Sequence, residues 1–138
     1  TCFMKAEIHA YKYERLDKPK LAWKMIKGAP KMPSPILVDK QLYVMNDGGI
    51  LTCVDAISGD VKWRERVGGE FSASPTYANG LLYFSDREGK TTVVKPGNEL
   101  NIVAENKIDG TAHMASITPY ENSFLLRSKK GLYRIGIK

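Results

Sequence analysis

Two cysteines (Cys2, Cys53), two histidines (His9, His113) and a scatter of Asp and Glu are what this 138-residue chain offers for nucleophilic, metal or acid–base chemistry. Their spacing assembles none of it. The cysteines are far apart and show no ligand spacing. Cys53 falls in a strand pattern and reads as a buried free thiol, and the sequence leaves a Cys2–Cys53 disulfide open. His9 and His113 lie in unrelated strands without HxH or HxxxH spacing, so a structural or surface role is expected rather than metal ligation. Asn46, Asp47, Asp86 and Glu88 stand on equivalent turns of two repeats. A calcium ion would need about six to eight oxygen ligands, and the plainer reading of these four is turn chemistry. There is no Gly-x-Ser-x-Gly elbow, GxGxxG or phosphate loop. The expectation is no catalytic residue, no bound cofactor and no metal.

The balance of charge points to a surface rather than a site. Apolar residues make up 43 % and charged residues 26 %, with a net charge of +6. Basic residues gather at Lys18, Lys20, Lys24, Lys27 and Lys31, and again at Arg127, Lys129, Lys130, Arg134 and Lys138. Aromatics are not interleaved with them as a stacking platform requires, so nucleic acid is not an expected partner and the stripes read as solvated surface. No apolar run approaches the roughly 18 residues of a membrane span. The chain opens on Thr1 without a signal segment, which predicts a fragment or a protein whose export is not encoded here.

The elements that must position these side chains repeat. A shift of 40 residues takes Trp23 to Trp63, Gly28 to Gly68, Ser34-Pro35 to Ser74-Pro75, Leu42-Tyr43 to Leu82-Tyr83, Gly49 to Gly89 and Val54 to Val94. A shift of 42 carries Ala73-Ser74 to Ala115-Ser116, Leu82 to Phe124 and Gly89 to Gly131, and a fainter copy sets Ile8 to Tyr13 where Ile50 to Asp55 stand. Within each repeat, short β-rich runs such as Ile36-Leu37-Val38, Leu42-Tyr43-Val44 and Ile50 to Val54 are broken by turn residues. Asn79-Gly80 is a two-residue hairpin signal, and no segment carries a long helical period.

Four short strands in about 40 residues is the dimension of a propeller blade. Strands are predicted near 7–13 and 21–26, then 34–39, 41–46, 50–55 and 61–66, then 72–78, 81–86, 91–95 and 101–107, then 114–118, 123–128 and 132–137. The fold class is all-β, a partial propeller of four-stranded antiparallel blades. It forms a single domain over 1–138: a half blade 1–27, blades 28–67 and 68–108, and an incomplete blade 109–138. A two-sheet sandwich does not predict so constant a repeat.

Asp55-Ala56-Ile57-Ser58-Gly59-Asp60-Val61-Lys62-Trp63 resembles the Asp-Ala-x-x-Gly-x-x-x-Trp blade motif of pyrroloquinoline-quinone-like propellers. Ser72 to Pro75 and Gly80-Leu81-Leu82-Tyr83-Phe84 continue that pattern. The stretch Gly68 to Ile135 is also similar to the C-terminal part of propeller-repeat proteins like the lipoprotein of the bacterial outer-membrane barrel assembly machinery. The resemblance implies that Trp23 and Trp63 dock between blades, with Gly59 and Asp55 shaping the turn that receives them. It places Val103 where the next blade tryptophan would stand. There Lys95-Pro96 replaces Asp-Ala, and Gly97 lies near the motif glycine. Quinone-dependent dehydrogenases of this fold are marked by vicinal cysteines, a quinone-stacking tryptophan, a calcium site and a catalytic aspartate, and this chain lacks vicinal cysteines. Tyr43, Tyr77, Tyr83 and Tyr133 read as blade packing.

The resemblance implies a non-catalytic scaffold that presents surfaces to protein partners in a periplasmic or extracellular setting. The alternatives are a fragment of a quinone-dependent dehydrogenase whose active site lies in other blades, or an extracellular sensor domain of a signalling protein. Propellers close with four to eight blades, so the counted arc predicts a C-terminal fragment. Its flanks, carrying Ile8, Tyr11 and Tyr13 at one end and Phe124, Leu126 and Ile135 at the other, would be exposed. A homodimer that covers these flanks is expected.

Overall fold

The structure, a computed structural model, describes residues 5–13, 18–108 and 115–136, and it is built from strands with no helix among those residues. β1 (Ile8–Tyr13) and β2 (Pro19–Met25) pair as a two-stranded sheet. β3 (Ile36–Val38), β4 (Gln41–Met45), β5 (Ile50–Asp55) and β6 (Val61–Arg66) form a second sheet. A third comprises β7 (Thr76–Ala78), β8 (Leu81–Ser85), β9 (Lys90–Lys95) and β10 (Asn101–Lys107). β11 (Thr118–Tyr120), β12 (Ser123–Arg127) and β13 (Leu132–Gly136) make the fourth. Every sheet is an antiparallel meander in chain order, the arrangement of propeller blades.

Turn chemistry sets the hairpins. The first turn of each fuller sheet holds a residue in the left-handed region: Asp39 at φ 53, Asn79 at φ 50 and Glu121 at φ 51. Gly80 follows Asn79 at φ 77, so this pair carries positive φ at both central positions as a primed hairpin turn requires. The first strand of each blade is shorter than its apolar pattern suggests. β7 starts at Thr76, and just before it Ser74 is tied to the preceding repeat rather than laddered to β8. The Ser34 N–H donates to Ser74 Oγ at 2.9 Å, and Thr76 Oγ1 donates to the Ile117 carbonyl at 2.6 Å. β11 likewise begins at Thr118, the repeat partner of Thr76, with 115–117 outside the strand; residue 114 of the predicted strand lies outside the described residues.

The second sheet is buried on both faces, which explains the unbroken apolar run of β5. Alternation along its strands sends Tyr43, Met45, Leu51, Cys53 and Trp63 one way, into a core with Phe71, Leu82, Phe84 and Val94 of the third repeat. Val44 and Val54 point the other way, onto Met25, Ile8 and Trp23 of the first sheet. The predicted flank positions are corrected here: Ile8 packs toward the second sheet with Val44 and Val54, and Ile135 shares the face of its partner Phe124. Leu126 is buried (1 % exposed) and Phe124 half-buried against Tyr83, with ring centroids 4.7 Å apart, so both face the preceding blade rather than a free flank. Tyr77, expected in blade packing, is exposed on β7.

Candidate functional site

The motif Asp55 to Trp63 folds into a turn built to receive an indole. The Asp55 carboxylate accepts N–H bonds from Ile57 (2.9 Å) and Ser58 (3.0 Å), closing the turn on itself. The bonds from Ser58 and Ile57 hold its carboxyl below the ordinary value of 3.8. That stabilisation is present above the unfolded pKa and is lost as pH falls through the folded one. Ala56 N–H donates to the Lys40 carbonyl at 2.9 Å, which leaves the Ala56 carbonyl turned toward the preceding blade. Trp23 Nε1–H donates to that carbonyl at 3.1 Å. Gly59 lies at φ +80 directly beneath the ring, where a Cβ would sit 2.6 Å from Trp23 Cγ.

The next junction repeats the contact with different residues. Trp63 is buried, its Nε1–H donating to the Gly97 carbonyl at 3.1 Å. Gly97 therefore stands in the role of Ala56 rather than of the motif glycine. Tyr43 joins it: the Gly97 N–H donates to the Tyr43 hydroxyl at 2.9 Å, the hydroxyl donates to Gln41 Oε1, and the phenol ring meets Trp63 edge-on at 6.0 Å. Burial pushes the Tyr43 hydroxyl up to about 12 from its ordinary 10.0. The folded value lies above the unfolded one, so this stabilisation is complete below about pH 10 and disappears as pH rises through about 12. An alkaline titration should show one tyrosine ionising late, together with unfolding. Tyr43→Phe should remove the stability change across that interval, and an unchanged profile would place the late phenol elsewhere.

Register identifies the third tryptophan position, and it is not Val103. Three sheets carry the same bulge in their last strand. Ala10 pairs Trp23 and Tyr11 pairs Leu21, skipping Ala22. Cys53 pairs Trp63 and Val54 pairs Val61, skipping Lys62. Val93 pairs Ala104 and Val94 pairs Ile102, skipping Val103. Val103 is thus the bulged residue, and Ala104 takes the tryptophan's place. The same pairing sets Ala10 against Cys53, one residue from the alignment that matched Ile8 with Ile50.

The other side chains considered for chemistry hold turns. Asn46 Oδ1 accepts from Gly48 (3.1 Å) and Ile50 (2.9 Å), and the buried Asp86 Oδ1 accepts from Glu88 and Lys90, both at 2.9 Å. Asp47 Oδ2 accepts from the Lys31 N–H at 2.7 Å. Among the described residues no three of His, Cys, Asp and Glu are grouped to hold a metal. His9 is exposed and bonds Glu7 at 2.8 Å. Cys53 is a buried free thiol whose pKa burial pushes up. Cys2, His113 and Lys138 lie outside the described residues. Among the described residues no helix is long and apolar enough to cross a membrane.

The family model described as outer membrane protein assembly factor BamB matches residues 14–111. The structure of BamB from Moraxella catarrhalis superposes with a TM-score of 0.65 at 16 % identity, over 84 % of this chain and 36 % of that one. The quinohemoprotein alcohol dehydrogenase ADHIIG of Pseudomonas putida HK5 gives a TM-score of 0.59 at 10 % identity, over 70 % of this chain and 16 % of that one. The quinohemoprotein alcohol dehydrogenase of Comamonas testosteroni gives 0.57 at 12 % identity, over 70 % and 17 %. The chain thus spans little more than a third of the first of these relatives and less of the others. No curated protein sequence matches it.

Proposed function

The chain belongs to the outer membrane protein assembly factor BamB family of pyrroloquinoline-quinone-like propeller repeats, and from that footing we propose that it is a non-catalytic scaffold presenting surfaces to protein partners outside the cytoplasm. In this reading Trp23 and Trp63, received by the turns of Asp55 to Gly59 and of Gly97, lock the order of blades so that the surfaces stay in register. The observation that carries it is the contrast between polar and apolar groups. The polar side chains of the turns are occupied by backbone N–H groups, as at Asn46, Asp47, Asp55 and Asp86. The first strands of successive blades instead hold apolar side chains out to solvent. Leu37 (57 % exposed) pairs Leu42, Tyr77 (45 %) pairs Leu82, and the exposed Pro119 pairs Phe124, so the three share one register position. Exposed apolar surface in an ordered array is what protein recognition uses.

A photo-cross-linking residue at position 77 should trap a protein adduct of defined size in cells. The same probe at Lys107, on the outer strand, should not. The purified chain should take up no pyrroloquinoline quinone in the presence of calcium. Adducts from neither position 37 nor 77, or stoichiometric quinone binding, would contradict the proposal.

A second copy is the proposed partner for the sheets at the two ends. Tyr11, Tyr13 and Leu21 of the first sheet are exposed, as is Leu132 on the outer face of β13. Among the described residues the outer side of β13 is unpaired. An edge of this kind accepts a further strand.

A further inference from the structure

The crossover from β2 to β3, residues 26–35, carries an exposed methionine at a fixed place. Met32 is 55 % exposed, whereas Met25 and Met45 are 7 % and 1 % exposed. Met4 and Met114 lie outside the described residues. The backbone on both sides of Met32 is pinned. The Lys31 N–H donates to Asp47 Oδ2 at 2.7 Å, Pro33 is buried, and the Ser34 N–H donates to Ser74 Oγ at 2.9 Å. The side chain is held as well: Arg87 Nη2–H donates to Met32 Sδ at 3.3 Å. The same guanidinium donates from Nε to Ser72 Oγ and pairs with Glu70 at 3.5 Å. Arg87 thus ties two successive crossovers, those entering β3 and β7, to the turn between β8 and β9. Of its acceptors the thioether is the weakest, and it is the one that can gain an oxygen atom.

We propose that Met32 is an oxidation site, converted by hydrogen peroxide to one favoured sulfoxide epimer and sensed by Arg87. A sulfur lone pair attacks a peroxide oxygen, so that an S–O bond forms and the O–O bond breaks. Sulfur gives two electrons to the peroxide. The departing hydroxide takes the proton of the transferred oxygen, and the products are the sulfoxide and water. One of the two lone pairs on sulfur is engaged by Arg87 Nη2–H, which leaves the other for the oxidant. The sulfoxide sulfur is chiral, so a one-sided approach selects its configuration. Oxidation exchanges an apolar side chain for a polar one, beside a cation that also holds Ser72 and Glu70. Nothing in this chemistry requires a protein partner.

A limiting dose of hydrogen peroxide on the folded chain, read by site-resolved mass spectrometry, tests this. Met32 should gain one oxygen at least about tenfold faster than Met25 and Met45, since susceptibility follows exposure. The epimers of the Met32 peptide, separated by chromatography or by the two epimer-specific reductases, should differ by roughly threefold, because a thioether is a weak acceptor. Arg87→Ala should bring the epimers to equal amounts while Met32 stays the fastest site. In the unmutated chain the Arg87 Nε–H resonance should move on oxidation, and in Met32→Leu the same dose should leave it in place. These two readings serve if Arg87→Ala does not fold. Equal epimers in the unmutated chain overturn the proposal, as does oxidation of Met25 or Met45 at the rate of Met32. So do an unmoved Arg87 resonance and an epimer excess that survives in a folded Arg87→Ala chain.

Discussion

Replacing Trp63 with alanine is expected to cost about 3–5 kcal/mol, the range for removing a large buried aromatic from a packed core. The ring is 9 % exposed and sits in the core cluster that joins the second and third sheets. Its removal also leaves the Gly97 carbonyl without the indole N–H and takes the edge contact from Tyr43. Trp23→Ala should cost less, because Trp23 is only half-buried although it makes the same carbonyl bond. Denaturant unfolding of both variants measures the difference. A loss below about 1 kcal/mol for Trp63→Ala, as at an ordinary surface position, would mean that the indole does not hold the blades together.

Gly49→Ala is expected to be as damaging, through the backbone. Gly49 lies at φ +80, and a Cβ there would stand 2.4 Å from the Gly68 carbonyl oxygen and 2.8 Å from that of Gly69. The close approach is structural, since the Gly49 carbonyl accepts from the Val67 and Gly68 N–H groups at 2.9 and 3.1 Å. Left-handed backbone strain in a residue with a side chain contributes about 1–3 kcal/mol, and displacing packed backbone adds a similar amount. The expected loss is about 2–6 kcal/mol, enough to lower soluble yield as well as the thermal midpoint. Gly80→Ala is the comparison: at φ +77 but with nothing within 4 Å of its Cβ, it should show the strain alone. Equal losses at the two glycines would refute the close-approach argument.

Much of this arrangement was legible in the residues. The shift of 40 shows which strands are equivalent, and the blade motif points to Asp55, Gly59 and the two tryptophans. What escaped was a register effect. One extra residue in the turn between β9 and β10 moves Ala104 into the tryptophan's place, and a constant offset points instead to Val103, because a constant offset carries no trace of a lengthened turn. The exposure of Tyr77 and the inward turn of Leu126 escaped for a related reason. Period-two alternation tells which residues share a face, but which face meets a neighbour depends on how the sheets stack. The type of Gly97 places it near the motif glycine, whereas its role rests on a backbone carbonyl, a group every residue has.

The account holds that this chain works by association, and its mass in solution tests that most directly. Light scattering of the purified chain at micromolar concentration should give twice the 15.4 kDa of one copy, falling toward a single copy on dilution or when Leu132 is replaced by lysine. A folded chain that remains a 15.4 kDa monomer at every concentration would contradict it.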